Sequence, residues 1–206
     1  CWKTYVGRPE TDEFRCRALG TLGRSFPRSH SKSALPVLEA HLASMRRYFP
    51  YEQDIILAGQ NNIALRLDDL GRCDEALELQ REIYASRLAL DGKSNEGTLI
   101  AALNLIVSFT NALRLSEAKR MLREQLPIAT RVLGKDHDVT LSLQRNVVIG
   151  LLRDEKSTRQ ETLQAEKLAK DMLVRLRRVY GAQHPLTRNM EAWLIQVNNK
   201  LATYDP

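Results

Sequence analysis

This sequence predicts an all-α fold, a stack of helix-turn-helix hairpins with one closing helix, on three observations. The first is a period: sliding the chain by 42 positions brings Asn62 onto Asn104 and Asn146, Leu57 onto Leu99 and Leu141, and Ile63 onto Leu105 and Val147. Ala64 falls on Ile106 and Val148, and backwards on Leu22, while Ala34, Ala76 and Ala118 coincide, as do Val37, Leu79 and Met121. The second is what repeats. Apolar and small residues recur at helical spacing, and Gly92 matches Gly134 at the end of the unit; a period of about 40 residues with that content marks stacked helical hairpins. The third is composition: 43% hydrophobic and 27% charged residues describe a folded chain and not a disordered one. Because each hairpin needs only its neighbours to bury its apolar face, one array over residues 12–206 is expected despite the length of the chain.

The elements follow in order. Residues 1–11, with Gly7 and Pro9, read as an irregular lead-in. A helical pattern over 12–24 places Phe14, Ala18, Leu19 and Leu22 on one side, and SFPRSHSKS breaks it. A second helix over 34–48 tolerates Pro36 in its first turn, where the amide has no helical partner. This is the first hairpin, 12–50. The second, 54–92, turns at Gly71 and ends at Gly92, which suits the residue after a helix. In the third, 96–134, Leu113 stands where Gly71 stood, and Pro127 predicts a bend or break in the second helix. The fourth, 138–181, is five residues longer, and DEKSTRQE at 154–161 is the expected site of a longer surface loop. His184 and Pro185 restart the pattern, and a single helix over 186–203 closes the array.

Composition narrows the function classes. Net charge is +6 and the pI about 9.4, with acids and bases interspersed, the pattern of a solvated surface. The densest basic patch, Arg175, Arg177 and Arg178, is followed by no aromatic or Gly-rich nucleic-acid module, so nucleic acid is not the expected partner. No apolar run approaches the roughly 20 residues of a membrane helix, and a soluble body is expected. Cys1, Cys16 and Cys73 form no CxxC pair, which speaks against a disulfide framework or a four-ligand zinc site. Cys16 and Cys73 read as small, buried or half-buried residues in a reducing compartment. The chain opens on Cys1, so it reads as a processed or trimmed piece with any targeting segment outside it. Cytoplasm and organelle interior stay equally open.

The run NNIALRLDDLGRCDEAL, followed by a second helix and a closing glycine, resembles a tetratricopeptide repeat. The 42-residue period and the joints LGKDHDVTL and YGAQHPLTR resemble the kinesin-light-chain type, over nearly the whole chain after residue 12. Gly20 in place of the repeated asparagine and the lengthened fourth hairpin depart from it. The wording from YVGRPE onward is also similar to many such proteins of unicellular algae. The resemblance implies a right-handed superhelix whose first helices line a concave groove. It further implies a protein-binding adaptor or scaffold that takes an extended peptide or partner helix, without catalytic residues.

On that frame the candidate groove residues are Asn61, Asn62 and Arg66, then Asn104 and Asn111, then Arg145, Asn146 and Arg153. A carboxamide offers donor and acceptor, so a ladder of asparagines can pair with any peptide backbone; the competing reading is that they bridge neighbouring helices. The arginines could fork onto a partner carboxylate, although Asp69 opposes them and no lysine-asparagine-arginine clamp is evident. Trp193 takes the asparagine position in the last helix, either as an exposed anchor or as a seal over the fourth hairpin. His137 and His184 sit at equivalent joints where side chains are needed to bond backbone, His30 lies in a turn, and His41 faces along a second helix. No phosphate loop, HExxH or nucleophile elbow appears, so no catalytic residue, metal or cofactor is expected. Two readings stand: an adaptor binding other proteins in its groove, and a permanent subunit of a larger assembly using edges or convex faces.

Overall fold

A computed structural model describes residues 5–204; Cys1 and the first residues of the expected lead-in lie outside them. Among the described residues the regular structure is helical throughout. The order is α1 (Glu13–Ser25), a 3₁₀ turn (Arg28–His30), α2 (Ser31–Tyr48), α3 (Gln53–Asp69), α4 (Cys73–Asp91), α5 (Glu96–Asn111), α6 (Leu115–Leu133), α7 (Asp138–Arg153), α8 (Arg159–Tyr180) and α9 (Pro185–Ala202). Contacts divide them into two compact units, Cys1–Leu90 and Asp91–Pro206.

In unit 1, α2 packs between α1 and α3, burying Cys16, Leu38, Met45, Ile56, Ile63 and Ala64. Each such large side chain contributes about 2 kcal/mol relative to leaving it in water. Cys73 is half-buried. The lead-in docks through aromatic contacts: the Tyr5 and Phe14 rings stack at 6.5 Å and the Arg8 guanidinium lies 5.0 Å from the Tyr5 centroid. In unit 2, α5, α7 and α9 neighbour one another in turn, while α6 and α8 pack on the same helices from the other side. The repeated alanines are where second helices come close to their surroundings: Ala34, Ala76, Ala118 and Ala165 are each no more than 1% exposed.

The joints between hairpins repeat in detail. Gly134 and Gly181 follow their helices at φ 90°, ψ 162° and φ 84°, ψ 165°, a region open essentially to glycine alone. Three residues on, Asn95, His137 and His184 cap the next helix, accepting from the amides of Gly97 (2.7 Å), Val139 (3.3 Å) and Leu186 (3.3 Å). Three further on, Thr98, Thr140 and Thr187 are fully buried, and the Thr187 hydroxyl donates to the Gly181 carbonyl at 2.8 Å. This caps one helix and locks the next with short polar side chains.

Several expectations are corrected. α2 begins at Ser31, so Pro36 lies in its second turn, and α6 runs unbroken through Pro127. Both prolines are exposed, where water can satisfy the carbonyl that each leaves without a helical amide. The five extra residues of the fourth hairpin do not all form a loop. Its turn spans 154–158, two residues longer than 112–114, and α8 has 22 residues against 19 in α6. A capping box starts α8 early: the Glu161 amide donates to Thr158 Oγ1 at 3.2 Å and the Thr158 amide to Glu161 Oε2 at 2.9 Å. The turn is tied down, with Lys119 Nζ 2.6 Å from Asp154 Oδ2 and Lys200 Nζ donating to the Leu151 and Asp154 carbonyls at 2.9 and 2.6 Å. Lys119 holds the Asp154 carboxyl below its ordinary value.

Candidate partner-binding faces

In unit 1 the face of α3 turned toward the first hairpin's turn encloses a cavity of about 340 Å³. Asn62, Leu65, Arg66 and Asp69 line it from α3, Arg24 from the end of α1, and Phe26, Pro27 and Arg28 from the turn. Asn62 is half-buried there, and among the described residues no hydrogen bond engages its carboxamide. Arg66 is not free: its side chain is 13% exposed, pairs with Asp69 at 3.5 Å and donates to the Phe26 carbonyl at 2.9 Å. Asn61 accepts from Gln80 Nε2 at 2.8 Å, bridging α3 to α4. Two of the three sequence candidates of this hairpin therefore bind the fold itself.

In unit 2, Arg145 projects from α7 into a cavity of about 310 Å³ closed by Met172, Leu176 and Tyr180 of α8 and Leu186 and Met190 of α9. Its Nε is buried without an acceptor, and among the described residues no carboxylate pairs with the guanidinium. Burial alone lowers its pKa from the ordinary arginine value. Asp138 lines the same cavity but already accepts the Tyr180 hydroxyl, which raises the tyrosine's pKa. Arg145 is thus a cation held in an apolar recess without an anion.

The other candidates of unit 2 are turned inward or shared. Asn146 is 4% exposed, its amide donating to the Ser142 carbonyl at 2.8 Å. Asn104 is half-buried and engaged within the fold. Asn111 is half-buried at the end of α5, and Arg153 is exposed but donates to the Thr110 carbonyl at 3.3 Å. Trp193 is half-buried, packed on the core that joins α7, α8 and α9.

Residues 56–90 match the family model described as the tetratricopeptide repeat. That stretch of α3 and α4 is similar to a tetratricopeptide repeat. The fold around it is shared with solved repeat proteins of the kinesin-light-chain type. One, from Podosopora anserina and built of nearly identical TPR-like repeats, is 19% identical with a TM-score of 0.71, covering 90% of this chain and 87% of that one. A second structure of such a Podosopora anserina protein is 17% identical with a TM-score of 0.67, covering 96% and 99%. BtubC (BKLC) from P. vanneervenii is 16% identical with a TM-score of 0.73, covering 93% and 76%. No curated protein matches the chain in sequence.

On this helical frame the remaining polar groups are largely accounted for. The basic patch of α8 is spent within the fold: Arg175 donates to the Lys135 carbonyl and Gln144, Arg177 pairs with Glu191 at 2.7 Å, and Arg178 lies 3.7 Å from Asp136. His41 does not face along its helix but is 3% exposed, filling the space beside Gly20. Among the described residues no group of three His, Cys, Asp or Glu side chains could hold a metal ion, and no helix is long and apolar enough to cross a membrane. Sequence reasoning missed the cavity partners Met172, Leu176 and Met190, and Arg24 and Arg28 in the first turn. It also missed the joint threonines, whose signal, a threonine six residues after each joint glycine, stands in the sequence.

Proposed function

We propose that this chain is a non-enzymatic protein-protein interaction scaffold, one continuous array of four tetratricopeptide hairpins and a closing helix. It binds a peptide segment or helix of a partner protein against the first helices of its hairpins. Arg145 carries this reading. A desolvated guanidinium with no anion costs free energy that a structural role would have compensated, and an apolar recess beside it suits a side chain of the same partner. The expected segment places a carboxylate next to an apolar residue, fixing orientation through the arginine fork and affinity through burial. No cofactor is required.

The test is substitution of Arg145 by Met, an apolar side chain of similar reach. Complexes taken gently from the source, sized by light scattering and identified by mass spectrometry, are expected to contain a protein partner that Arg145→Met loses. The variant's urea midpoint should stay level or rise, because an unpaired cation has been removed. Retention of the partner, or unfolding of the variant, would sink the proposal.

A second reading, a permanent subunit, is favoured by a cavity of about 350 Å³ among α6, α7 and α8, where Leu122, Leu126, Pro127, Val147 and Leu151 form an apolar wall beside Lys119, Arg123 and Glu161. An assembly of fixed stoichiometry that survives Arg145→Met but dissociates on Leu126→Asp would establish it.

A further inference from the structure

We infer that the unit 1 cavity seats a phosphorylated side chain carried by a partner protein. This rests on the reading that the chain binds proteins, but on none of the residues around Arg145. Three guanidiniums, of Arg24, Arg28 and Arg66, line the cavity with a single carboxylate, Asp69. Two positive charges are therefore in excess, and a phosphate monoester carries about −1.5 to −2 at pH 7. A carboxylate would balance only one of them.

The three arginines have different tasks. Arg66 is a fixed wall: besides the Phe26 carbonyl, its guanidinium bonds the Arg24 carbonyl and Ser31 Oγ, both at 3.4 Å. Asp69 is satisfied without Arg28, since its Oδ2 accepts from Ser31 Oγ at 2.9 Å and faces Arg66. Arg28 approaches Asp69 only through Nε at 3.6 Å and is 85% exposed, so its fork is available to phosphate oxygens. Among the described residues Arg24 bonds only the Thr21 hydroxyl of its own helix, at 3.2 Å. The unengaged Asn62 carboxamide adds a neutral donor, and half-buried Phe26 with Leu65, 41% exposed, offers apolar walls for the stem of the residue.

The experiment offers the full chain three degenerate peptide pools that differ only in a central phosphoserine, serine or glutamate. Retained peptides are quantified by mass spectrometry at constant ionic strength. The phosphoserine pool is expected to be retained at least tenfold over both others. Arg24→Ala combined with Arg28→Ala should abolish that preference with the urea midpoint unchanged, since both arginines are exposed, and Arg145→Met should leave it intact. Equal retention of the glutamate pool would make this a carboxylate site and overturn the inference, as would a phosphoserine preference that survives the double variant. Failure of all three pools, alongside an Arg145-dependent partner, would remove this inference alone. Loss of the Arg145-dependent partner as well would remove the protein-binding reading beneath it.

Discussion

The joints between hairpins are nearly copies of one another, and the turns inside hairpins vary in length and in the residue they place at positive φ. All three joints that follow a closing glycine carry that glycine at positive φ, an Asn or His cap three residues later and a buried threonine three after that. Two of the turns, Leu70-Gly71-Arg72 and Ala112-Leu113-Arg114, share a middle residue at positive φ and an arginine paired with the glutamate three residues on, but one uses glycine and the other leucine, and the five residues 154–158 share neither feature. The difference follows from what each must do. A turn has only to bring a helix back onto its own partner, and the buried alanines and leucines of the hairpin hold the register whatever the turn. A joint places a glycine at positive φ, then a cap and a fully buried threonine, so its backbone conformation and short polar side chains carry its geometry.

The sharpest way to break that comparison is Gly134→Ala. An added Cβ meets nothing within 4 Å, so any loss comes from φ 90°, ψ 162° alone. About 2 kcal/mol is expected, read as a lower urea midpoint with the slope unchanged. Alanine at the turn glycine, Gly71, should cost less, about 1 kcal/mol. Equal losses at the two sites would mean joints are no more constrained than turns.

Next in size is an effect confined to the first hairpin, where Gly20 replaces the repeated asparagine. A Cβ at Gly20 would lie 2.7 Å from His41 Nε2, so the glycine is what admits the imidazole, whose Nδ1 is buried without a partner. Burial lowers the His41 pKa, Arg24 lowers it further, and only the Cys16 backbone raises it; α3 approaches the ring through Gly59. Neutral in the fold and free to charge when unfolded, His41 gives stability that is full above its unfolded value of 6.5 and drains as pH falls through the lower folded value. Urea midpoints followed by a probe in unit 1 should fall between pH 7 and about 5, and His41→Gln should flatten that slope. A slope unchanged by the substitution would assign the pH dependence elsewhere.

The joints also allow a comparison among themselves. Thr187 donates to the Gly181 carbonyl, whereas Thr140 Oγ1 is buried with no partner. Replacing Thr187 by Val should cost about 1 kcal/mol, and replacing Thr140 by Val should be neutral or stabilising, because an unsatisfied hydroxyl gives way to a methyl group of the same shape. Thermal melts of the two variants decide it.

These contrasts also explain how much could be read in advance. Apolar period, glycines and joint histidines fix the order of the helices because they act locally. The split of the five extra residues was legible too, in Thr158 and Glu161 at capping-box spacing, but the polar character of the run hid it. The binding faces were legible only by position. The period puts Asn61, Arg66 and Asn146 on the first helices, yet whether each faces a partner or the fold depends on Gln80 and the Phe26 carbonyl, which packing places, and for Asn146 on its burial, with the Ser142 carbonyl one turn back on its own helix taking the amide. The Arg145 cavity needs Met172 and Met190, far along the chain, and no spacing rule connects them.

The smallest expected effect tests the permissiveness of the turns. Leu113 sits at φ 58°, the one non-glycine residue at positive φ among those described, and is 74% exposed. A left-handed leucine costs about 1 to 2 kcal/mol, with no packing to offset it at that exposure. Leu113→Gly removes the strain but gives the unfolded chain more freedom, worth about 0.5 to 1 kcal/mol. The net should be a stabilisation of about 0.5 kcal/mol, and Leu113→Asn, which tolerates the same conformation with less unfolded freedom, should gain slightly more. A loss in both variants would mean that Leu113 is held for contacts the folded monomer does not show, and the turn would then join the joints as a place where sequence identity matters.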